Sequence, residues 1–138
     1  MNIRSKGIIL CFSAALLLTL LGGAALGKTN NDNIANGMSA KNSATDENEG
    51  TITTNDGSTS RWGMKAENSS TIKNWYLPSG GATITTSSNS AYGMWAKNAS
   101  HAFNYGSIVT GGKGAYGMYA SGNGSEASNY GSITTHGL

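Results

Sequence analysis

Asp46, Glu47 and Glu49 form the one tight group of carboxylates in the chain, and His101 and His136 are its two imidazoles. Carboxylates at a fixed separation could hydrolyse a glycosidic bond, and an imidazole could serve as a base or hold a metal. The spacing favours neither chemistry. No acid recurs at an equivalent position elsewhere in the chain, and the two histidines have no Cys or carboxylate at metal-ligand spacing. The acids therefore read as a solvated turn and the histidines as polar surface, with no catalytic residue, metal or cofactor expected. Gly111, Gly112, Lys113, Gly114 and Ala115 look like the start of a calcium-binding nonapeptide, but Tyr116 stands where the ligating Asp belongs. Asn68, Asn98 and Asn123 each open an Asn-x-Ser triplet, which reads as chance in an Asn- and Ser-rich chain.

The aromatic residues are placed with more order. Trp62, Tyr92 and Tyr116 each precede a Gly-Met pair, and Trp95 and Tyr119 follow the Met. On stacked repeats such residues become ladders, either packed or exposed as an apolar strip suited to sugar rings or a partner protein. Trp75, Tyr76, Leu77, Pro78, Ser79 and Gly80 form an insertion that would project as a loop. The candidate ligand-binding residues are thus Trp75, Tyr76, Trp95 and Tyr119.

The elements that must carry these residues are repeats. Gly-Met occurs at Gly37, Gly63, Gly93 and Gly117, each time with Ala two places after the Met. The intervals are 26, 30 and 24 residues. Asn48, Asn74, Asn104 and Asn129 follow ten or eleven residues after each Met, and Ile52, Ile84, Ile108 and Ile133 lie further on. In the second copy the Asn-to-Ile interval grows from four residues to ten, so about six are inserted there. The Ile segments, such as Thr51-Ile52-Thr53 and Ser107-Ile108-Val109, alternate with period two, as strands do. A second strand centres on Met38, Met64, Met94 and Met118, and Gly, Asn and Ser clusters supply the turns.

Two strands and two turns per repeat predict an all-β chain, a parallel β-helix (β-solenoid) of about four coils. Ile would stack in one inner column and Met in another, with the four Asn residues forming an amide ladder at a bend. Asp46 sits where later copies have Ile72, Ala102 and Ala127, which marks the first copy as an end cap.

Residues 1–27 differ in kind: Arg4 and Lys6, an uncharged apolar run, then Gly22 to Gly27 with Ala25 and Gly27 at small-x-small spacing. This is the order of a helical signal peptide cleaved before Lys28. The alternative is a retained anchor. Cys11 lies inside the run, so the processed chain would have no thiol. Losing Arg4 and Lys6 leaves seven basic against seven acidic residues, and no basic patch favours nucleic acid. Residues 28–35 are expected to be a flexible mature N-terminus and residues 36–138 the repeat domain, incomplete at its C-terminal end.

Gly-Met-x-Ala followed by Ser-x-Ala-x-Asn-x-Gly-Ser/Thr-Ile resembles the passenger repeats of bacterial autotransporter adhesins and haemagglutinin-like surface proteins. Ser100, Ala102, Asn104, Gly106, Ser107 and Ile108 carry the likeness best, with Ser125, Ala127, Asn129, Gly131, Ser132 and Ile133. The resemblance implies a virulence-associated stalk on an outer-membrane translocator barrel, which this sequence lacks, and a partner that is a host-surface glycan or protein. It implies export across the inner membrane, then the cell surface or outer membrane for a longer parent and the periplasm for a truncated product. The other functional readings are a β-helical polysaccharide-active enzyme fragment and a truncated product without activity.

Overall fold

The computed structural model describes residues 27–55, 61–76, 78 and 81–137. The leader expected over 1–27 falls outside them except for Gly27, as do Leu77, Ser79 and Gly80 of the insertion. In chain order the strands are β1 (Thr29–Asn30), β2 (Asn33–Ile34), β3 (Met38–Lys41), β4 (Thr45–Asn48), β5 (Thr51–Thr54), β6 (Trp62–Glu67) and β7 (Thr71–Asn74). They continue as β8 (Thr83–Thr86), β9 (Tyr92–Lys97), β10 (His101–Asn104), β11 (Ser107–Thr110), β12 (Tyr116–Ser121), β13 (Glu126–Asn129) and β14 (Ser132–Thr135).

The chain visits three sheets in strict rotation, and within each sheet all neighbours are parallel. Their orders are β1-β4-β7-β10-β13, β14-β11-β8-β5-β2 and β12-β9-β6-β3. This is a parallel β-solenoid, the architecture that the repeat predicts. It has three strands per coil where the sequence suggests two. The missed strand runs into the Asn: Thr45–Asn48, Thr71–Asn74, His101–Asn104 and Glu126–Asn129. Its inward positions hold Asp46, Ile72, Ala102 or Ala127 and then Asn, so a large apolar residue marks it in one copy alone, whereas the Ile strand carries one in every copy. Residues 28–35 also differ from expectation, since β1 and β2 pair with β4 and β5 and begin the columns before the first Gly-Met.

Register converts sequence equivalence into columns. Ile34, Ile52, Ile84, Ile108 and Ile133 pair in one line, as do Met38, Met64, Met94 and Met118. Ile52, Ile84, Ile108, Met64 and Met94 are fully buried. Each contributes about 1.5 to 3 kcal/mol.

The Gly of Gly-Met has a steric cause. A Cβ on Gly93 would lie 2.3 Å from Ile108 Cγ2, and one on Gly63 would lie 2.1 Å from Ile84 Cγ2. The isoleucine of one sheet thus occupies the space where the neighbouring strand would carry a side chain. Gly93 and Met94 are both buried, which interrupts the alternation and turns Tyr92 and Trp95 to the same outer side.

The bend after the Met strand uses left-handed backbone. Asn42, Asn68 and Asn98 have φ of 56°, 57° and 56°, and the next residues Ser43, Ser69 and Ala99 have 66°, 60° and 58°. Asn tolerates this region well. In the last coil Gly122 and Gly124 take it over.

At the next corner the buried Asn residues form the expected ladder. Each Nδ2 donates to the Oδ1 one coil on: Asn30 to Asn48 at 2.7 Å, Asn48 to Asn74 at 2.8 Å, Asn74 to Asn104 at 2.8 Å and Asn104 to Asn129 at 2.7 Å. Each Nδ2 also donates to a carbonyl further along its own coil, such as Gly50, Gly106 and Gly131. In the second coil this acceptor is Ala82, and Ala82 N donates to Trp75 O at 2.9 Å. Trp75 and Ala82 therefore flank the insertion, which begins one residue later than the expected Trp75.

Candidate ligand-binding groove

The residue after each ladder Asn leaves the core and faces outward. In the last three coils it is Trp75, Tyr105 and Tyr130. Their rings stack along the axis, with centroids 5.1 Å apart for Trp75 and Tyr105 and 5.0 Å for Tyr105 and Tyr130, inclined by 14° and 9°. The spacing is close to one coil rise, about 4.8 Å. Rings in such a stack cover one another's faces and offer mainly edges and hydroxyls sideways.

Beside this wall lies a groove of about 700 Å³. Its lining includes Tyr76, Tyr105 and Tyr130, the glycines Gly81, Gly106 and Gly131, and the hydroxyl residues Thr83, Ser107 and Ser132. Thr83, Ser107 and Ser132 are paired in register, and Ser132 Oγ donates to Ser107 Oγ at 3.1 Å. The floor is bare for a structural reason: a Cβ on Gly106 would lie 2.2 Å from Ala82 O, and one on Gly131 would lie 2.1 Å from Gly106 O. Tyr76 is 68% exposed and Tyr130 66%. The groove offers aromatic carbon and a row of small hydroxyls repeating once per coil, with no carboxylate, imidazole or thiol among its lining residues.

The four sequence-selected aromatics do not come together. Tyr76 lines the groove, and Trp75 stacks behind it on Tyr105 without lining it. Trp95 and Tyr119 lie on the sheet of β3, β6, β9 and β12 in a second cluster with Trp62, Tyr92 and Tyr116. There Tyr92 stacks on Trp95 at 5.0 Å and on Tyr116 at 5.4 Å. Lys65 Nζ sits 4.4 Å from the Trp62 ring and 4.9 Å from the Trp95 ring, and Trp95 Nε1 donates to Ser121 Oγ at 3.1 Å. Trp95 is half-buried in this cluster, while Tyr119 is 37% exposed. Tyr105 and Tyr130 are not beside Met like the other ordered aromatics; their signal in the sequence is their place immediately after Asn104 and Asn129.

Lys65, Lys41 and Lys97 converge on Glu67, at 3.0, 3.6 and 3.4 Å. Burial pushes the Glu67 carboxyl up, but the hydrogen bond and charge of Lys65, then Lys97 and Lys41, outweigh it and hold the group below its ordinary value.

The acids expected in a solvated turn lie on β4 instead. Adjacent strand residues face opposite sides, so Asp46 points inward, 1% exposed, and Glu47 points outward to Lys73 at 3.2 Å. They cannot act as a pair on one substrate. Glu49 follows β4 and is half-buried. His101 Nδ1 is 3.5 Å from Glu126 Oε2 on the next coil, and His136 is exposed beyond β14. Among the described residues no group of three His, Cys, Asp or Glu could hold a metal.

The Asn-x-Ser triplets lie at the bend after the Met strand, where Ser70 Oγ donates to Glu67 O at 2.7 Å, Ser100 Oγ to Asn98 O at 3.4 Å and Ser125 Oγ to Ser121 O at 2.8 Å. The Gly-rich segment at 111–114 is likewise stacking chemistry, since a Cβ on Gly112 would lie 1.9 Å from Ser88 O. No protein-family model, no curated protein and no solved structure matches this chain.

Proposed function

We propose that the chain is an exported, non-enzymatic surface protein of the autotransporter-adhesin kind, whose groove binds an extended glycan of a host or matrix surface. The single observation that carries the reading is the groove beside Tyr105 and Tyr130, where tyrosine edges, bare glycine backbone and hydroxyls recur once per coil. A polysaccharide presents hydroxyls and apolar ring faces at a comparable interval along its length. Binding would then be a sum of weak, repeated contacts, with Tyr76 fixing one end. Among the described residues the groove's lining holds no carboxylate, the group that most glycoside hydrolysis uses.

The test is binding of the exported chain to a glycan array and to immobilised hyaluronan, pectin and peptidoglycan, with reducing-end release measured in parallel. Tyr76→Ala and Tyr130→Ala, both exposed side chains, should each weaken retention about tenfold or more while the melting curve stays put. Turnover of any of these polymers that disappears on changing Asp46, Glu47 or Glu49 would instead establish the enzyme reading. Undiminished binding by the double variant would remove the groove from consideration.

A further inference from the structure

The end of the first coil holds a buried carboxylate whose pairing is incomplete. Asp46 occupies the inward position filled in the paired strands by Ile72 and Ala102, and is 1% exposed. A carboxylate placed there costs several kcal/mol unless a cation or several donors answer it. Its Oδ1 accepts one hydrogen bond, from the backbone N of Lys28 at 2.8 Å, and its Oδ2 is buried without a partner. Among the described residues Asp46 takes part in no ion pair.

The atom that meets Asp46 is the nitrogen of the bond that the small-x-small signal of Ala25 and Gly27 marks for cutting. We propose that removal of the leader between Gly27 and Lys28 creates the missing cation, so that processing itself completes the cap of the solenoid. Water adds across the Gly27–Lys28 peptide bond under a signal peptidase and the C–N bond breaks; Gly27 keeps the water oxygen as its carboxylate, and both water hydrogens end on the Lys28 nitrogen, which becomes an ammonium. That ammonium has three N–H donors where the peptide had one. One keeps Oδ1, and rotation brings another to Oδ2. Lys28 is already held in place by its carbonyl, which accepts from Glu47 N at 2.7 Å, and Glu49 N donates to Asn30 O at 2.7 Å. An uncut chain would carry an uncompensated charge in its first coil and fold poorly at that end, which suits a polypeptide that must cross a membrane before it folds.

The inference rests on the export reading, and the experiment separates the two. The full chain is expressed with its leader, the exported product is purified, and its N-terminus is determined by mass. Four products are compared: the parent, Asp46→Asn, a chain with one Ala inserted between Gly27 and Lys28, and the combination. A product beginning at Lys28, in which Asp46→Asn lowers the melting temperature by about 5–10 °C, is the expected result. With the inserted Ala, which carries the ammonium one residue away, the same substitution should cost nothing or raise the melting temperature.

Amide exchange gives a readout independent of whether Asp46→Asn folds. The Glu47 and Glu49 amides should exchange about tenfold faster in the Ala-inserted chain than in the parent. A product that begins elsewhere or retains its leader overturns the inference alone, and a chain that is not exported at all overturns the export reading as well. Equal Asp46→Asn shifts in both backgrounds, or equal exchange rates, overturn the inference alone and leave the groove untouched.

Discussion

Replacing Asn74 by Ala should cost far more than the same change at Asn129, although both occupy the same column. Asn74 is fully buried. Its Nδ2 donates to Ala82 O at 3.2 Å, Asn104 Oδ1 at 2.8 Å and Ser107 O at 3.3 Å, and its Oδ1 accepts from Asn48 at 2.8 Å. Truncation removes these bonds and strands two buried polar groups, an Asn48 N–H and the Asn104 Oδ1. Each orphan costs about 1–3 kcal/mol, so the loss should reach about 3–5 kcal/mol. A whole domain is stable by only about 5–15 kcal/mol. Asn129 is exposed and receives a single rung, from Asn104 at 2.7 Å, so water can replace what is lost there and the cost should stay near 1 kcal/mol or less. Urea titration of both variants measures the difference. Asn74→Asp adds a check on chemistry against size, because it sets a carboxylate oxygen against the Ala82 carbonyl and should be worse than Ala at neutral pH. Losses at Asn74 and Asn129 within about 1 kcal/mol of each other would refute the ladder as a source of stability.

Gly93→Ala should destabilise by about 2–3 kcal/mol, because the new methyl meets Ile108 Cγ2 at 2.3 Å and the Gly117 carbonyl oxygen at 2.4 Å; an unchanged denaturation midpoint would show that the Gly-Met motif has another cause. Glu67→Gln should cost about 1–2 kcal/mol at neutral pH, measured by the same titration. The sign of its pH dependence is fixed by the lowered carboxyl: the stabilisation is fully present above the unfolded value of 4.5 and is lost as the pH falls through the lower folded value. The gap between parent and variant should therefore close in strong acid, and a gap constant from pH 7 to about pH 3 would contradict the three-lysine account.

The sequence disclosed the stacking because Gly, Met, Ala and Ile recur at positions where the solenoid tolerates little else. Gly63 and Gly93 must be bare to admit Ile84 and Ile108, and the Ile strands β8 and β11 alternate in burial with the Ile inward. The third strand stayed hidden for the converse reason. In β4 and β10 the inward side chains are Asp46 and Asn48, Ala102 and Asn104, so alternation was present in burial but absent in hydropathy, and Ile72 of β7 alone gave an apolar signal. An inward Asn looks like a turn former until a neighbour one coil away is available to satisfy it. The Glu67 cluster was largely illegible: Lys65 lies two residues before Glu67 on β6, but Lys41 and Lys97 belong to the coils on either side and reach it only through register.

The groove shares this dependence on register, which ties the binding proposal to the fold. Tyr105 and Tyr130 stand immediately after Asn104 and Asn129, and Gly106 and Gly131 follow at once. Asn104 holds the corner through its amide bonds to Asn129 and to the carbonyls of Gly106 and Ser132. The backbone N–H groups of Tyr105 and Gly106 both donate to Asn74 O, and those of Tyr130 and Gly131 to Asn104 O. Each ring is thus anchored one residue from a buried hydrogen-bond network, and its neighbour in the stack is anchored in the same way one coil along. The wall is ordered before any ligand arrives, so little conformational entropy remains to be lost by its side chains on binding. Tyr76 is placed differently: it follows Trp75 directly, is 68% exposed and has no in-register ring from a neighbouring coil stacked on it among the described residues.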